Sequence, residues 1–332
     1  MKNLKLIAIA LFVGVITLAS CSNDDGAILP VIPIIPPVST SNTFVEITPT
    51  TSIFSERWRH QSVSFNGKIW VIGGETSTGY SNEIWNSTDG ISWSEVTPSG
   101  AVFSARMDHR VVVFNNKIWL IGGYDNSGRN GEIWNSSDGI TWTQVIPTGS
   151  YFGPTSIHTL TVFNNKMWLI GGLEGSSFSN AIWNTSDGIN WTQVTVSGSL
   201  FTPRYSHQTF VLNNKIFVVG GYNNAVGILN DVWSSTDGTT WIEENNTNAF
   251  TNRYYHNCIV NNSKVYLICG NVSNEMWTST DGISWTEITQ SNNYISQRRG
   301  QSSVLHNGNI YVIGGEATGN ANYLNDIWKY KF

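Results

Sequence analysis

The sequence predicts an all-β protein: a ring of six four-stranded blades, that is, a six-bladed β-propeller closed by its own N-terminal strand. Three observations predict it. Five histidines, His60, His109, His158, His207 and His256, recur every 49 residues, and a fixed period of about 40–50 residues marks stacked or radially arranged supersecondary units. Each copy holds four short β-rich runs separated by turn residues, and no segment keeps a helical period. The last copy lacks its fourth run, and a matching run stands near the N-terminus.

Three segments follow in chain order. Residues 1–20 read as a signal peptide: Lys2 and Lys5 precede an apolar run from Leu6 to Leu18 that is too short to span a bilayer comfortably. The run ends at Leu18-Ala19-Ser20-Cys21, which resembles the lipobox of bacterial lipoproteins. That resemblance implies lipidation of Cys21, export to the bacterial cell envelope and anchorage in a membrane, expected to be the outer one. Acyl chains bury CH₂ groups at about 0.8 kcal/mol each, so several chains hold a protein on the bilayer. Ser22-Asn23-Asp24-Asp25 reads equally as a charged, solvated tether and as a run similar to the tags that send some lipoproteins to the cell surface. Residues 21–40 form the tether, and four of its residues from 30 to 37 are prolines, which favours an extended spacer. Residues 41–332 remain for one large core.

Within that core each copy opens on Arg-x-x-His, as at Arg57 to His60, Arg106 to His109, Arg204 to His207 and Arg253 to His256. The first run leads to a turn, Asn66-Gly67 in copy one and Asn115-Asn116 in copy two. Asn-Gly between apolar runs is a hairpin signal because both residues tolerate positive φ. A second strand ends in a glycine doublet, Gly73-Gly74 and its successors, altered to Cys269-Gly270 in copy five. The third strand carries Trp85, Trp134, Trp183, Trp233, Trp277 and Trp328. A turn such as Ser87-Thr88-Asp89-Gly90 leads to a fourth strand that starts at Trp93, Trp142, Trp191, Trp241 or Trp285. Phe54, Phe103, Phe152, Phe201 and Phe250, each three residues before the arginine position, read as core pegs. Phe44-Val45-Glu46-Ile47-Thr48-Pro49 matches Trp93-Ser94-Glu95-Val96-Thr97-Pro98 and supplies the strand missing after Phe332. Such an exchange removes two free sheet edges.

This order of features resembles the kelch repeat: an arginine-led first strand, Gly-Gly closing the second, aromatics on the third and fourth. The Ser-x-Asp-Gly-x-x-Trp turns are similar to a shortened Asp-box. Both resemblances imply architectural roles for these residues, with Asp89 bonding its turn backbone.

Composition narrows the function. Charged residues are 12% of the chain and the net charge is −5, so no basic stripe exists to neutralise phosphates and nucleic acid is not an expected partner. Cys258 and Cys269 fall on one hairpin, with Cys258 opposite Leu267, about 7–8 Å diagonally apart, and read as two buried thiols. Five histidines spread around a ring cannot share one ion, because ligation needs three or four donors at about 2.0–2.3 Å. No metal and no cofactor are expected.

Function is expected on the variable loops after the second strands, at 75–82, 124–131, 173–180, 222–230, 271–274 and 316–325. Subtracting the repeat leaves a set of unlike residues just before each histidine. Among them Arg59, Asp108 and Tyr255, with Arg299, form a polar, aromatic-flanked mouth suited to a sugar or an acidic group. The kelch resemblance implies ligand contacts in this neighbourhood. The expectation is a non-catalytic module that recognises a glycan or an envelope protein. The alternative is a carbohydrate-active enzyme similar to sialic-acid mutarotase. A galactose-oxidase-like copper site is not matched, because every histidine but His306 belongs to the repeat.

Overall fold

A computed structural model describes residues 43–244, 250–271, 273–289, 295–317 and 322–332. The leader, Cys21 and the proline-rich tether lie outside the described residues. Every regular element described is a β-strand. In the first unit the innermost strand is Arg57–Trp58 followed by Gln61–Phe65, and next to it run Lys68–Thr76, Gly79–Ser87 and Ser94–Val96. Their ladders are antiparallel throughout, and variants of this pattern recur along the rest of the described residues. In the last unit the outermost position is taken by Thr43–Ile47, which pairs with Tyr323–Lys331 from Thr43↔Lys331 to Ile47↔Ile327. Phe44 from this strand is fully buried against Tyr330.

The innermost strands neighbour one another in sequence order, and Ser302–His306 returns to Gln61–Phe65. Just ahead of them, six residues close a cycle of backbone hydrogen bonds. Asp108 donates to Arg59, Ile157 to Asp108, Ser206 to Ile157, Tyr255 to Ser206, Gly300 to Tyr255 and Arg59 to Gly300, at 2.7 to 3.3 Å. All six have left-handed backbone, with φ between 54° and 62°. That conformation costs a non-glycine residue roughly 1–2 kcal/mol, and here it turns each N–H and C=O sideways to the neighbouring units.

The histidine that follows locks the units together. A Cβ on Gly73 would come within 2.8 Å of the His109 ring, and one on Gly314 within 3.1 Å of the His60 ring. The first glycine of each doublet therefore makes room for the next unit's imidazole. Copy five breaks both halves of this contact at once: Cys269 replaces the glycine, at φ 56°, and the facing histidine is Gln301. Gln301 donates to the Ile268 carbonyl at 3.2 Å. The interruption of the histidine register at Gln301 is therefore a compensated contact.

The opposite end repeats a second interlock. In the turns, Asp89 Oδ1 accepts the N–H groups of Ile91 and Ser92, as expected from the sequence. The glycine beside it faces an aromatic of the preceding unit, Gly139 against Trp70 and Gly90 against Tyr311. Each turn tryptophan then meets its phenylalanine peg edge-on, as in Trp93 with Phe54 and Trp142 with Phe103. Aromatic pairs of this kind add about 0.5–1.5 kcal/mol beyond burial.

The five repeat histidines are buried. Burial, followed by the positive charge of nearby arginines, holds each imidazole below its ordinary range, His109 at about 3. The unfolded chain titrates them near pH 6.5, so their contribution is complete above that value. It is lost as pH falls, because unfolding then takes up protons. Unfolding should therefore take up protons as pH falls below about 6.5, and stability should fall with it. A melting temperature that stays flat between about pH 7 and pH 5 would contradict this reading.

Candidate functional site

The arginine that opens each first strand is fully buried and fully used. Arg106 donates through Nη1 to Gly122 O at 2.9 Å, through Nε to Ser104 O at 3.0 Å, and pairs through Nη2 with Glu132 at 2.5 Å. Glu132 also accepts the Trp134 indole N–H at 3.0 Å. The same set joins Arg57 to Glu83, Arg204 to Asp231, Arg253 to Glu275 and Arg298 to Asp326. Copy three has Thr155 in place of the arginine, and the position of its acid is Ala181. Losing both partners avoids a buried, unpaired charge, which would cost about 3–5 kcal/mol. These arginines are structural and not available to a ligand.

The residues singled out before the histidines do gather at the channel mouth. The guanidinium of Arg59 lies 3.7 Å from the Trp58 ring centroid and 4.9 Å from that of Tyr255, and pairs with Asp108 Oδ2 at 3.1 Å. Burial raises the Asp108 carboxyl, with the Arg59 charge opposing it. Burial likewise pushes the Tyr255 phenol up. Arg299 bonds Glu316 at 2.8 Å and the Tyr254 hydroxyl at 2.9 Å, and stands 5.6 Å over Trp58. The mouth is thus a plug in which the charges of Arg59 and Arg299 already have partners. Beneath it a cavity of only about 10 Å³ remains, bordered by Arg59, Asp108, Arg110 and Tyr255.

Around the plug runs a half-buried aromatic array. Trp58 stacks on Tyr323 at 5.6 Å with a 20° tilt and meets Tyr255 at 6.3 Å. Tyr255 continues to Tyr254 at 5.3 Å and to Tyr205 at 6.4 Å. Tyr205 stacks on Phe178 at 5.3 Å and touches Tyr222 at 5.4 Å, which returns to Tyr254 at 6.0 Å. Tyr80 and Tyr124 form a separate pair. Ladder register explains the gathering: Trp58 is opposite Glu75, and Leu173 opposite Phe178, so starts of first strands and ends of second strands share one face. Of this array the sequence reading singled out only Tyr255. The others follow the repeat arginine (Trp58, Tyr205, Tyr254), follow the glycine doublet (Tyr124, Tyr222) or open the third strand (Tyr80, Phe178, Tyr323). Comparing copies at those three positions would have found them.

Among the described residues no group of three His, Cys, Asp or Glu side chains could hold a metal ion. Cys258 pairs with Leu267 across its ladder, and both cysteines are free thiols. Burial raises both, Cys269 to about 12, which leaves neither poised as a thiolate nucleophile.

Compared with known proteins, the chain matches the model of the KLHDC2/KLHL20/DRC7 Kelch-repeats domain over residues 59–270 and again over 158–332. The two matches start about two repeats apart, as a sequence in register with itself allows. No curated protein matches the chain.

Because Arg59 is sandwiched between rings and neutralises a buried carboxylate, Arg59→Ala should cost about 3–5 kcal/mol of unfolding free energy. Chemical denaturation measures this. A cost within about 0.5 kcal/mol, the usual range for a surface residue, would show that Arg59 is free to serve a ligand alone.

Proposed function

The chain belongs to the kelch-repeat family, and from that premise we propose that it is a non-catalytic binding module that takes a protein segment on the aromatic face around its channel mouth. Kelch repeats commonly mediate protein–protein interaction. The observation that carries the proposal is the array of Phe178, Tyr205, Tyr222, Tyr254 and Tyr255, half-buried in one patch, set against the buried Trp58 and flanked by Arg59 and Arg299. Trp, Tyr and Arg supply most of the binding energy in protein interfaces, because they offer large, stiff contact area at low entropic cost. The plug beneath them keeps the rings in place, so little ordering is required on binding.

A glycan is the second reading. Tyr323, half-buried and stacked nearly parallel on the buried Trp58, offers a flat ring face of the kind that sugar rings stack on. In either case the proposal places the module outside the cytoplasm, lipidated at Cys21 and held in the bacterial outer membrane, with residues 21–40 as the spacer.

Peptide and glycan arrays probed with wild type, Tyr205→Ala and Tyr254→Ala separate these readings. Peptide hits that weaken by about tenfold or more in both variants, at unchanged melting temperature, support a protein segment. Glycan hits with the same losses favour the second reading. Accelerated anomer exchange of sialic acid without array binding would replace both with the mutarotase-like enzyme. Anchorage is read separately: Cys21→Ser should move the protein from the membrane fraction to the soluble fraction, and retention of the variant in the membrane would refute lipidation.

A further inference from the structure

Below the plug the innermost strands line a central channel, to which every unit contributes at least one polar residue, among them Gln61, Arg110, Thr159, Gln208, Asn257 and Ser303. The cavity there measures about 160 Å³, room for several waters or one small hydrated anion. No carboxylate borders it.

Among the described arginines only Arg110 and Arg129 pair with no carboxylate, and of the two Arg110 lines the channel. Its Nε donates to His158 O at 2.6 Å, but neither Nη group makes a hydrogen bond, and no carboxylate oxygen lies within 4 Å of it among the described residues. The arginines that open the strands each have an acid, as do Arg59 and Arg299. The side-chain amide of Gln208 likewise makes no hydrogen bond among the described residues. His256, which borders the narrow part of the same channel, has both ring nitrogens buried without a partner. The nearest negative charge, Asp108, lies in the field of three arginines, Arg59, Arg110 and Arg129, so the region is left with excess positive charge. An uncompensated guanidinium in a confined polar space costs free energy unless an anion offsets it. Unpartnered N–H groups of Arg and Gln are also donors that suit an oxyanion.

We propose that the central channel binds one small oxyanion against Arg110, with the amides of Gln208 and Asn257 completing its hydrogen bonds. The Arg59 plug closes the aromatic end, so the anion enters from the opposite end of the channel. The site is independent of the ligand taken by the aromatic face: it lies on the other side of the plug and uses none of the same side chains.

The test titrates the full chain with inorganic phosphate, sulfate or acetate at constant ionic strength, read by calorimetry and by melting temperature. Phosphate or sulfate should bind one to one and raise the melting temperature. Arg110→Gln should weaken binding by about tenfold or more. Gln208→Glu, which would place the missing counter-charge inside the channel, should do the same with Arg110 intact. It covers the case in which the first variant fails to fold. Response to acetate alone would identify the oxyanion as a carboxylate carried by a ligand, whereas response to phosphate or sulfate identifies a free inorganic anion. The proposal falls if wild type shows no response to any of the three at about 10 mM, or if Arg110→Gln, folded, responds as wild type does.

Discussion

Everything at the working end of this molecule depends on a cycle of six backbone hydrogen bonds between residues in left-handed conformation. An extended residue would hydrogen-bond along its own sheet. These six turn their amides toward the neighbouring units, so that each is held by the one before and holds the one after. The histidine that follows is thereby carried between two units, against a glycine that has no side chain to obstruct it. The side chains of the six are delivered to the channel mouth, where Arg59, Asp108 and Tyr255 find one another. One backbone device sets the contact between units and the chemistry of the axis together.

Buried charge is handled by the same economy of position. Each strand-opening arginine has its hydrogen bonds met by the carbonyl at the first doublet position (a glycine, or Cys269 for Arg253), a nearby carbonyl and hydroxyl, and an acid that also holds a tryptophan. Such a set tolerates no half-removal, and the third unit illustrates it: the arginine and the acid are both gone, leaving Thr155 and Ala181. Against that background an arginine without an acid, Arg110 in the channel, carries information about what the space around it is for.

Much of this was legible in the sequence because a repeat displays its own rules. The 49-residue spacing, the Asn-Gly turns, the glycine doublets and the phenylalanine pegs all specify local geometry, and the strands lie where those signals place them. Cys258 does stand opposite Leu267. The candidate site was legible in part. Position before the histidine gathered Arg59, Asp108 and Tyr255 correctly, because equivalent positions around an axis are neighbours. That Arg59 and Asp108 would neutralise each other was not legible, since it depends on rotamers across one full repeat of separation. The aromatic array escaped for a different reason: its members come from three strand positions that only ladder register brings to one face. Arg110 escaped because an unpaired charge is defined by what surrounds it in space.

One seam has a consequence for how the molecule counts. A ring whose interfaces were all a glycine facing a histidine could gain or lose a unit, or accept units in any order, with every joint still fitting. Here a single joint is keyed differently: Cys269 occupies the space that an imidazole takes elsewhere, and Gln301 is the side chain that fits beside it. A histidine-bearing unit would collide with that cysteine, and Gln301 facing a glycine would leave a void. The fifth unit therefore admits only the sixth, which is also the unit that receives the N-terminal strand. Duplication supplied interchangeable parts, and this one mismatched pair fixes which two of them must be neighbours.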